Sequence, residues 1–309
     1  MPNTIAASPL VLMSGAAQKA IMSLPALFLL TFVVLVAFAA NSVLGRVALE
    51  DGLIDAASYT AIRLAAGAAM LAGLFASRSG LIALRTVDLR NTFGPALALF
   101  IYAAFFSFAY LYLGAALGAL VLFAAVQITM IGYGIATGTR LGAVEWMGVI
   151  VAVGGFIYLV APGAIGVQGG PHLGATIMMT ISGVAWGAYS IVGRGAADPL
   201  GATARNFIVA TPLGLATVVV FSSAIAATPL GVVLAIISGA VTSGLGYALW
   251  YRVLPHITPT VAAVLQLTVP IIAAFGGILF LGEALGFRFV LASVAILGGV
   301  AATVLGGRK

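Results

Sequence analysis

Residues 24–49 read LPALFLLTFVVLVAFAANSVLGRVAL, an almost uninterrupted apolar segment in which Arg46 is the only charged side chain. A helix needs about 20 apolar residues to cross a bilayer, because the hydrocarbon core is about 30 Å thick and each residue rises about 1.5 Å. The segment is therefore long enough to cross a membrane as one helix. It also exceeds the hydrophobic region of a cleavable signal peptide, about 7–15 residues, so we expect it to be retained.

The composition of the whole chain agrees with a membrane location. Hydrophobic residues occupy 63% of the 309 positions and charged residues only 6%. A soluble domain is about one quarter charged, so this chain cannot cover a soluble surface. Soluble enzymes, nucleic-acid-binding proteins and secreted disulfide-linked scaffolds are thereby excluded. Without cysteine, and with only two histidines, the sequence predicts no disulfide, metal site or cofactor.

Ten apolar segments of similar length can be delimited along the chain, separated mostly by turn-forming or charged residues. They lie near 25–48, 55–77, 91–113, 115–137, 143–161, 173–193, 201–223, 230–252, 257–281 and 286–306. Only Gly114 separates the third segment from the fourth. The segments lack the strict alternation of barrel strands. We therefore predict an all-α integral membrane protein with about ten transmembrane helices.

The positions of Lys and Arg predict the orientation, because cytoplasmic loops carry an excess of both. If the N-terminus is cytoplasmic, every Lys and Arg except Arg46, Arg63 and Arg288 lies on the cytoplasmic side. We expect a multi-pass protein of the cell inner membrane with both termini cytoplasmic. Residues 1–24 would form a cytoplasmic N-terminal segment.

Similar segments occur in the same order in the two halves of the chain, residues 25–165 and 166–309. SVLGRVA at 42–48 matches SIVGRGA at 190–196, QITM at 127–130 matches QLTV at 266–269, and Gly154-Gly155 matches Gly298-Gly299. Chance similarity between helices rich in Ala, Gly and Leu is the alternative. Each half has an odd number of spans, so the second half would enter the membrane inverted. Inverted repeats place a binding site between the halves, near the bilayer midplane.

Polar and aromatic side chains deep within the spans are candidates for that site. Amides in membranes also join helices by hydrogen bonds, and aromatic rings also fill cores, so both alternatives remain open. The predicted substrate-binding residues are Asn41, Tyr102, Gln127, Trp186, Tyr189, Tyr247 and Gln266.

Three further residues are candidates for transport roles. Pro270 lacks a backbone donor and should kink the ninth helix, which makes it a candidate hinge or gate. A charged Arg63 at the outer end of the second span costs free energy in the membrane. The cost falls if the side chain pairs with Asp55 or Glu50, extends outward into the interface or holds a substrate carboxylate. All acidic residues lie at span ends or in loops, so proton coupling would need Glu283 or a loop acid, and facilitated diffusion or exchange is the alternative. No catalytic cluster is visible, and we do not expect an enzyme.

Several motifs in the last three spans resemble a known transporter family. YALWY at 247–251, PTVAA at 259–263, Pro270, LGE at 281–283 and GGV at 298–300 resemble the second EamA-type repeat of the drug/metabolite transporter (DMT) superfamily. The resemblance covers about residues 25–306. The first half departs from it, because no proline stands at the position that matches Pro270 and Arg140 stands where Glu283 does.

Within this superfamily the chain is similar to the aromatic amino acid exporters of the YddG type. This resemblance implies two inverted five-helix halves around a cavity lined by spans one, three, four, six, eight and nine. It implies the outward transport of aromatic and other neutral amino acids by alternating access. The alternatives are the same fold exporting another metabolite or drug, and a subunit of a membrane complex that does not transport. The expected partners are small solutes and the lipid bilayer, without nucleic acid, and the chain is expected to function as a monomer.

Overall fold

The structure is a computed structural model that describes residues 22–79, 88–164, 171–194, 196, 198–221, 225–257 and 259–306. Within these ranges the chain is almost entirely helical, and ten helical segments are long and apolar enough to cross a membrane. The predicted fold class, an all-α integral membrane protein with ten transmembrane helices, is confirmed. Residues 1–21, most of the predicted N-terminal segment, lie outside the described residues.

The first seven spans are single helices. They are α1 (Leu24–Glu50), α2 (Ala56–Ser79), α3 (Leu89–Ala109), α4 (Ala115–Ala136), α5 (Ala143–Ala164), α6 (Leu173–Val192) and α7 (Pro199–Val220). The weak boundary predicted at Gly114 is real, because Gly114 is the N-cap residue of α4.

The last three spans are less regular. The eighth consists of α8 (Pro229–Ile236), a π-helical segment (Ile237–Leu245), α9 (Gly246–Val253) and a 3₁₀ turn (Leu254–His256). The ninth is divided into α10 (Pro259–Gln266) and α11 (Thr268–Leu281), and the tenth is α12 (Phe287–Gly306). Gly282 ends α11 in the left-handed conformation, with φ of 64°, which glycine adopts without steric cost.

Large apolar side chains cover the outside of the bundle. Examples from four helices are Phe28, Val219, Leu279 and Phe287, each of which is well exposed. Such a surface would favour aggregation in water, whereas in a bilayer it contacts the acyl chains. The outside of the bundle is therefore suited to lipid.

Helix contacts occur in pairs that are related by a shift of five spans. The contact of span three with span six corresponds to the contact of span eight with span one. In the same way, the contact of span four with span six corresponds to the contact of span nine with span one. Span seven packs on three just as span two packs on eight. Three further contacts are unchanged by the shift, because it only exchanges their two spans. They are the contacts of span two with seven, four with nine and five with ten. The main contacts between the two halves of the chain therefore have counterparts under this shift.

The π-helical segment is the main departure from the predicted spans, since an uninterrupted helix was expected over 230–252. Two hydroxyl groups of the segment donate hydrogen bonds to nearby oxygen atoms. Thr242 Oγ1 donates to the Ser238 carbonyl at 2.7 Å, and Ser238 Oγ donates to Asn41 Oδ1 at 2.6 Å. Gly239 lies so close to α2 that a Cβ atom would stand 2.1 Å from the Arg63 carbonyl oxygen. Segments of π-helix are frequent at functional sites, and this one crosses α2 at Arg63.

Candidate functional site

A cavity of about 540 Å³ penetrates the bundle between spans one, three, four, six, eight and nine. These are the six spans that the family resemblance implies. Among the described residues, only Pro199, at the start of α7, adds a lining residue from another span. Pockets for small molecules have volumes of about 300–1,000 Å³, so the cavity has room for one metabolite.

The cavity opens at the end of the bundle where α1 begins, which we call the open end. Its outermost lining residues include Gly193 and Arg194, which are exposed, and Ile257, which is half-buried. We call the opposite end, where α1 ends and α2 begins, the closed end. Hydrogen bonds between loops of the two halves cover it: the N–H of Thr228 donates to the Leu53 carbonyl at 2.7 Å.

All seven side chains predicted to bind substrate line this single cavity. They are Asn41, Tyr102, Gln127, Trp186, Tyr189, Tyr247 and Gln266. They lie on six helices, namely α1, α3, α4, α6, α9 and α10. The seven side chains are spread along the sequence from Asn41 to Gln266, so tertiary packing alone brings them together. That they contact a substrate stays a prediction.

Four of these residues form an aromatic wall, which comprises Tyr102, Trp186, Tyr189 and Tyr247. The Trp186 ring stacks on Tyr189 with centroids 5.3 Å apart and on Tyr247 at 5.1 Å, with interplanar angles of 25° and 28°. Tyr102 lies 4.9 Å from Trp186 at 42°. Tyrosine and tryptophan combine broad apolar faces with polar tips. The wall can therefore pack against a flat apolar solute, while its hydroxyl oxygens accept from protein groups, as Tyr189 does from Asn206 Nδ2 at 3.3 Å.

A polar network occupies the inner end of the cavity. Asn41 Nδ2 donates to the Tyr102 hydroxyl at 3.2 Å, and Arg63 Nη2 donates to the same hydroxyl at 2.7 Å. The oxygen of the Asn41 amide accepts from Ser238 Oγ at 2.6 Å, and Thr242 Oγ1 lies 3.2 Å from the same oxygen. These bonds fix the amide so that its nitrogen faces Tyr102. Asn41 thus joins α3 to the π-helical segment.

The position of Arg63 corrects the sequence-based expectation that it pairs with Asp55 or Glu50 or extends outward. Its side chain is 1% exposed, and its guanidinium carbon lies 4.5 Å from the Phe106 ring centroid and 5.0 Å from that of Tyr102. Within the described ranges no carboxylate forms an ion pair with it. The close approach of Gly239 to the Arg63 backbone carries this part of α2 into the bundle, away from the loop acids.

The two acids expected near Arg63 have other partners. Glu50 forms an ion pair with Arg46, one turn earlier on α1. Asp55 accepts hydrogen bonds from the N–H groups of Ser58 at 2.9 Å and Ala226 at 3.1 Å. Asp55 therefore caps α2 and also contacts the loop between the seventh and eighth spans.

The ninth helix is interrupted near Pro270, as its sequence predicted. In a regular helix the N–H of residue 270 would bond to the carbonyl of Gln266, but proline has no such donor. α10 ends at Gln266, and α11 begins at Thr268. The interruption leaves Gln266 on the cavity lining. A role for Pro270 as a hinge or gate stays a prediction.

Glu283 lies at the closed end rather than in the cavity. Its carboxylate accepts hydrogen bonds from the backbone N–H groups of Ala115 and Ala116, the latter at 3.1 Å. Gly114 offers α4 no side-chain cap, and Glu283 supplies one from the other half of the chain. Its predicted role in coupling stays untested.

The prediction from sequence omitted several lining residues, among them Phe38, Thr242, Trp250 and Tyr251. Trp250 and Tyr251 could have been found, because they follow Tyr247 by three and four positions and so share its helix face. Thr242 had no such signal, since its direction depends on the π-helical segment. The lining that the structure describes contains no Asp or Glu, and no metal-binding cluster is present among the described residues.

Comparisons with known proteins agree with this architecture. The model of the EamA-like transporter family matches residues 173–305. An uncharacterized protein of Pseudomonas aeruginosa is 44% identical over 273 residues, which covers 88% of this chain and 92% of the relative. A solved crystal structure with 18% identity superposes with a TM-score of 0.65, covering 93% of this chain and 100% of the other, and shows the fold alone. This chain is therefore a multi-pass membrane protein that contains a domain of the EamA-like transporter family over residues 173–305.

Proposed function

We propose that this protein exports aromatic and other neutral amino acids by alternating access through the central cavity. The observation that carries the proposal is the cavity lining, where the aromatic wall lies beside the amides of Asn41, Gln127 and Gln266. Flat aromatic faces suit an aromatic side chain, and amides suit the polar groups of a neutral amino acid. We propose that the chain functions as a monomer, because six of its own spans line the cavity.

We also propose that residues 25–165 and 166–309 are two inverted repeats that rock against each other. The contact pairs related by five spans support this division, because a two-fold axis in the membrane plane generates such pairs. The closed end is held by contacts between the two halves, for example Thr228 with Leu53. Rocking would separate these loops while it brings together the spans at the open end.

The proposed direction follows from charge. With both termini cytoplasmic in the inner membrane, the open end faces the cytoplasm, and Arg194 at its rim agrees with the positive-inside rule. An exporter that faces inward collects solute from the cytoplasm. Opening the closed end would then release the solute on the other side.

The main rival keeps the fold and changes the cargo to another metabolite or a drug. The mostly aromatic and aliphatic lining favours an apolar solute of any class. A phosphorylated solute fits poorly, because among the described lining residues Arg194 carries the only formal charge. A subunit that does not transport is the second rival, and a cavity complete within one chain argues against it.

Transport into or out of proteoliposomes tests the proposal. Purified protein is reconstituted in vesicles loaded with labelled phenylalanine, with and without a pH gradient, and efflux is followed against protein-free vesicles. We expect saturable efflux that tryptophan and tyrosine inhibit. Efflux that does not saturate under either condition would refute export of amino acids. Stronger inhibition by unrelated drugs than by amino acids would favour the rival cargo.

Two tryptophans provide a matched pair of variants. Trp186→Ala removes the centre of the aromatic wall, and Trp146→Ala removes an indole from α5 that is 46% exposed and does not line the cavity. We expect Trp186→Ala to reduce phenylalanine efflux at least about tenfold, since it removes several aromatic contacts. Trp146→Ala should leave efflux close to wild type. Wild-type kinetics in Trp186→Ala and in Gln266→Ala would place the substrate elsewhere.

A further inference from the structure

The inner end of the cavity holds a positive charge that no counter-ion among the described residues balances. Arg63 is buried beneath the rings of Tyr102 and Phe106, and its Nη1 atom has no hydrogen-bond partner in the described part of the chain. The only ion pair among the described residues joins Arg46 to Glu50. Ionisable side chains inside a membrane protein usually have a partner or serve a function. The solute can therefore supply the negatively charged group that balances the charge of Arg63.

Arg63 does not line the cavity itself, but it acts on a residue that does. Its Nη2 atom donates to the Tyr102 hydroxyl at 2.7 Å, and Asn41 Nδ2 donates to the same oxygen. The hydroxyl oxygen is thus occupied as an acceptor, and its own proton has no acceptor among the described residues. A hydroxyl that accepts from a guanidinium is polarised and becomes a stronger donor. Tyr102 and Asn41 both line the cavity, so this end presents donors.

We infer that the inner end of the cavity, at Tyr102 and Asn41, is a binding subsite for the carboxylate of the solute. Tyr102 donates to the carboxylate, and Arg63 is a positioning residue that supplies the compensating charge from behind. The inference deepens the proposed function and rests on it. It specifies the class of solute: one carboxylate at the inner end, with an aromatic or apolar body against Trp186.

The orientation of the solute follows from the same geometry. Trp186 is the residue of the aromatic wall that contacts Tyr102, with centroids 4.9 Å apart. A solute whose carboxylate reaches Tyr102 would therefore place its side chain along the wall, toward the open end. One buried positive charge matches one carboxylate, whereas a doubly charged phosphate would need additional cations.

Competition binding to the purified full-length protein tests the subsite. Labelled phenylalanine is displaced with four solutes of similar shape: phenylalanine, phenylalaninamide, phenethylamine and 3-phenylpropionate. We expect the two solutes that lack a carboxylate to bind about tenfold more weakly than phenylalanine, because a hydrogen bond to a charged group is lost. The acid that lacks only the amino group should retain more affinity than either.

Variants then test which side chains cause the protein to bind phenylalanine more tightly than phenylalaninamide. Tyr102→Phe removes the donor and should reduce that preference to about twofold or less. Tyr251→Phe makes the same chemical change near the open end, where the hydroxyl contacts Thr203 at 3.1 Å, and should keep the preference. Arg63→Met should lose the preference, and Arg63→Lys should restore part of it. A ratio of affinities is measured on folded protein only, so reduced folding of a variant does not alter it.

The outcomes separate this inference from the function on which it rests. Equal affinity for phenylalanine and its amide would overturn the carboxylate subsite while amino acid export could stand. A preference that persists in both Tyr102→Phe and Arg63→Met would also overturn it and would direct attention to Arg194. Saturable binding by none of the four solutes would refute the proposed function and the inference together.

Discussion

Glu283 caps helix α4 by accepting a hydrogen bond from the backbone N–H of Ala116 at 3.1 Å, although 167 positions separate the two residues. A carboxylate is well placed there, because the first N–H groups of a helix lack partners and the helix dipole is positive at that end. This contact joins the end of the ninth span to the start of the fourth. It belongs to the set of interactions between the two halves that keep the closed end covered.

The first prediction concerns Glu283. Glu283→Ala removes the cap of α4 and one contact between the halves, and we expect a loss of about 1 kcal/mol in stability. Since the chain has no cysteine, Ser42→Cys at the inner end of the cavity provides a single thiol reporter. A membrane-impermeant thiol reagent applied at the closed end should label the reporter faster in Glu283→Ala than in the parent. Unchanged labelling with unchanged melting temperature would show that the cap contributes nothing.

The second prediction compares two helix caps. Asp55 caps α2 through Ser58 and also contacts Ala226 of the other half, whereas Asp88 caps α3 through Arg90 within its own half. Asp55→Ala and Asp88→Ala should each lower stability by about 1 kcal/mol.

Only the Asp55 variant should open the closed end. A loss of about 1 kcal/mol from that contact changes a two-state population by about fivefold, which labelling of the Ser42→Cys reporter can detect. Equal labelling in the two variants would mean that the contact with Ala226 does not hold the closed end.

The third prediction concerns the crossing of α2 with the π-helical segment. Gly239→Ala would place a Cβ atom 2.1 Å from the Arg63 carbonyl oxygen, so the two segments must separate. We expect the variant to lose phenylalanine binding and to melt at a lower temperature. Gly73→Ala on α2 is the control, because its Cβ would meet nothing within 4 Å. This variant should be neutral or gain up to about 1 kcal/mol from helix propensity. Similar melting temperatures for both variants would contradict the tight crossing.

The fourth prediction concerns the interrupted ninth helix. Pro270→Ala restores the N–H group that can bond to the Gln266 carbonyl, which favours a continuous helix through Leu267. We expect the variant to melt at a higher temperature and to transport more slowly, because Gln266 would turn away from the cavity and the helix would bend less. Pro212→Ala, within α7 and away from any interruption, should leave the transport rate unchanged. Faster transport in Pro270→Ala would refute a hinge at this position.

The candidate site could be predicted from the sequence to an unusual extent, for a physical reason. Amides such as Asn41 and Gln127 are costly in hydrocarbon, so an amide deep in an apolar span must face another protein group or a cavity. Arg63 shows the limit of this reasoning. Sequence proximity favoured pairing with Asp55, but a residue's neighbours in space depend on the rotation of its helix, and here α2 crosses Gly239 closely at Arg63.

The sequence by itself determined that the chain crosses a membrane about ten times, because span length and polarity follow directly from the thickness and dielectric of the bilayer. It also marked where helices end and where polar groups lie deep in the membrane. Only the tertiary structure decided which of those groups meet, that Arg63 stands behind Tyr102 with no carboxylate paired to it among the described residues, and that the cavity opens at one end. In a uniformly apolar chain many helix rotations bury similar area, and the choice among them depends on close approaches at glycine and on a few hydrogen bonds.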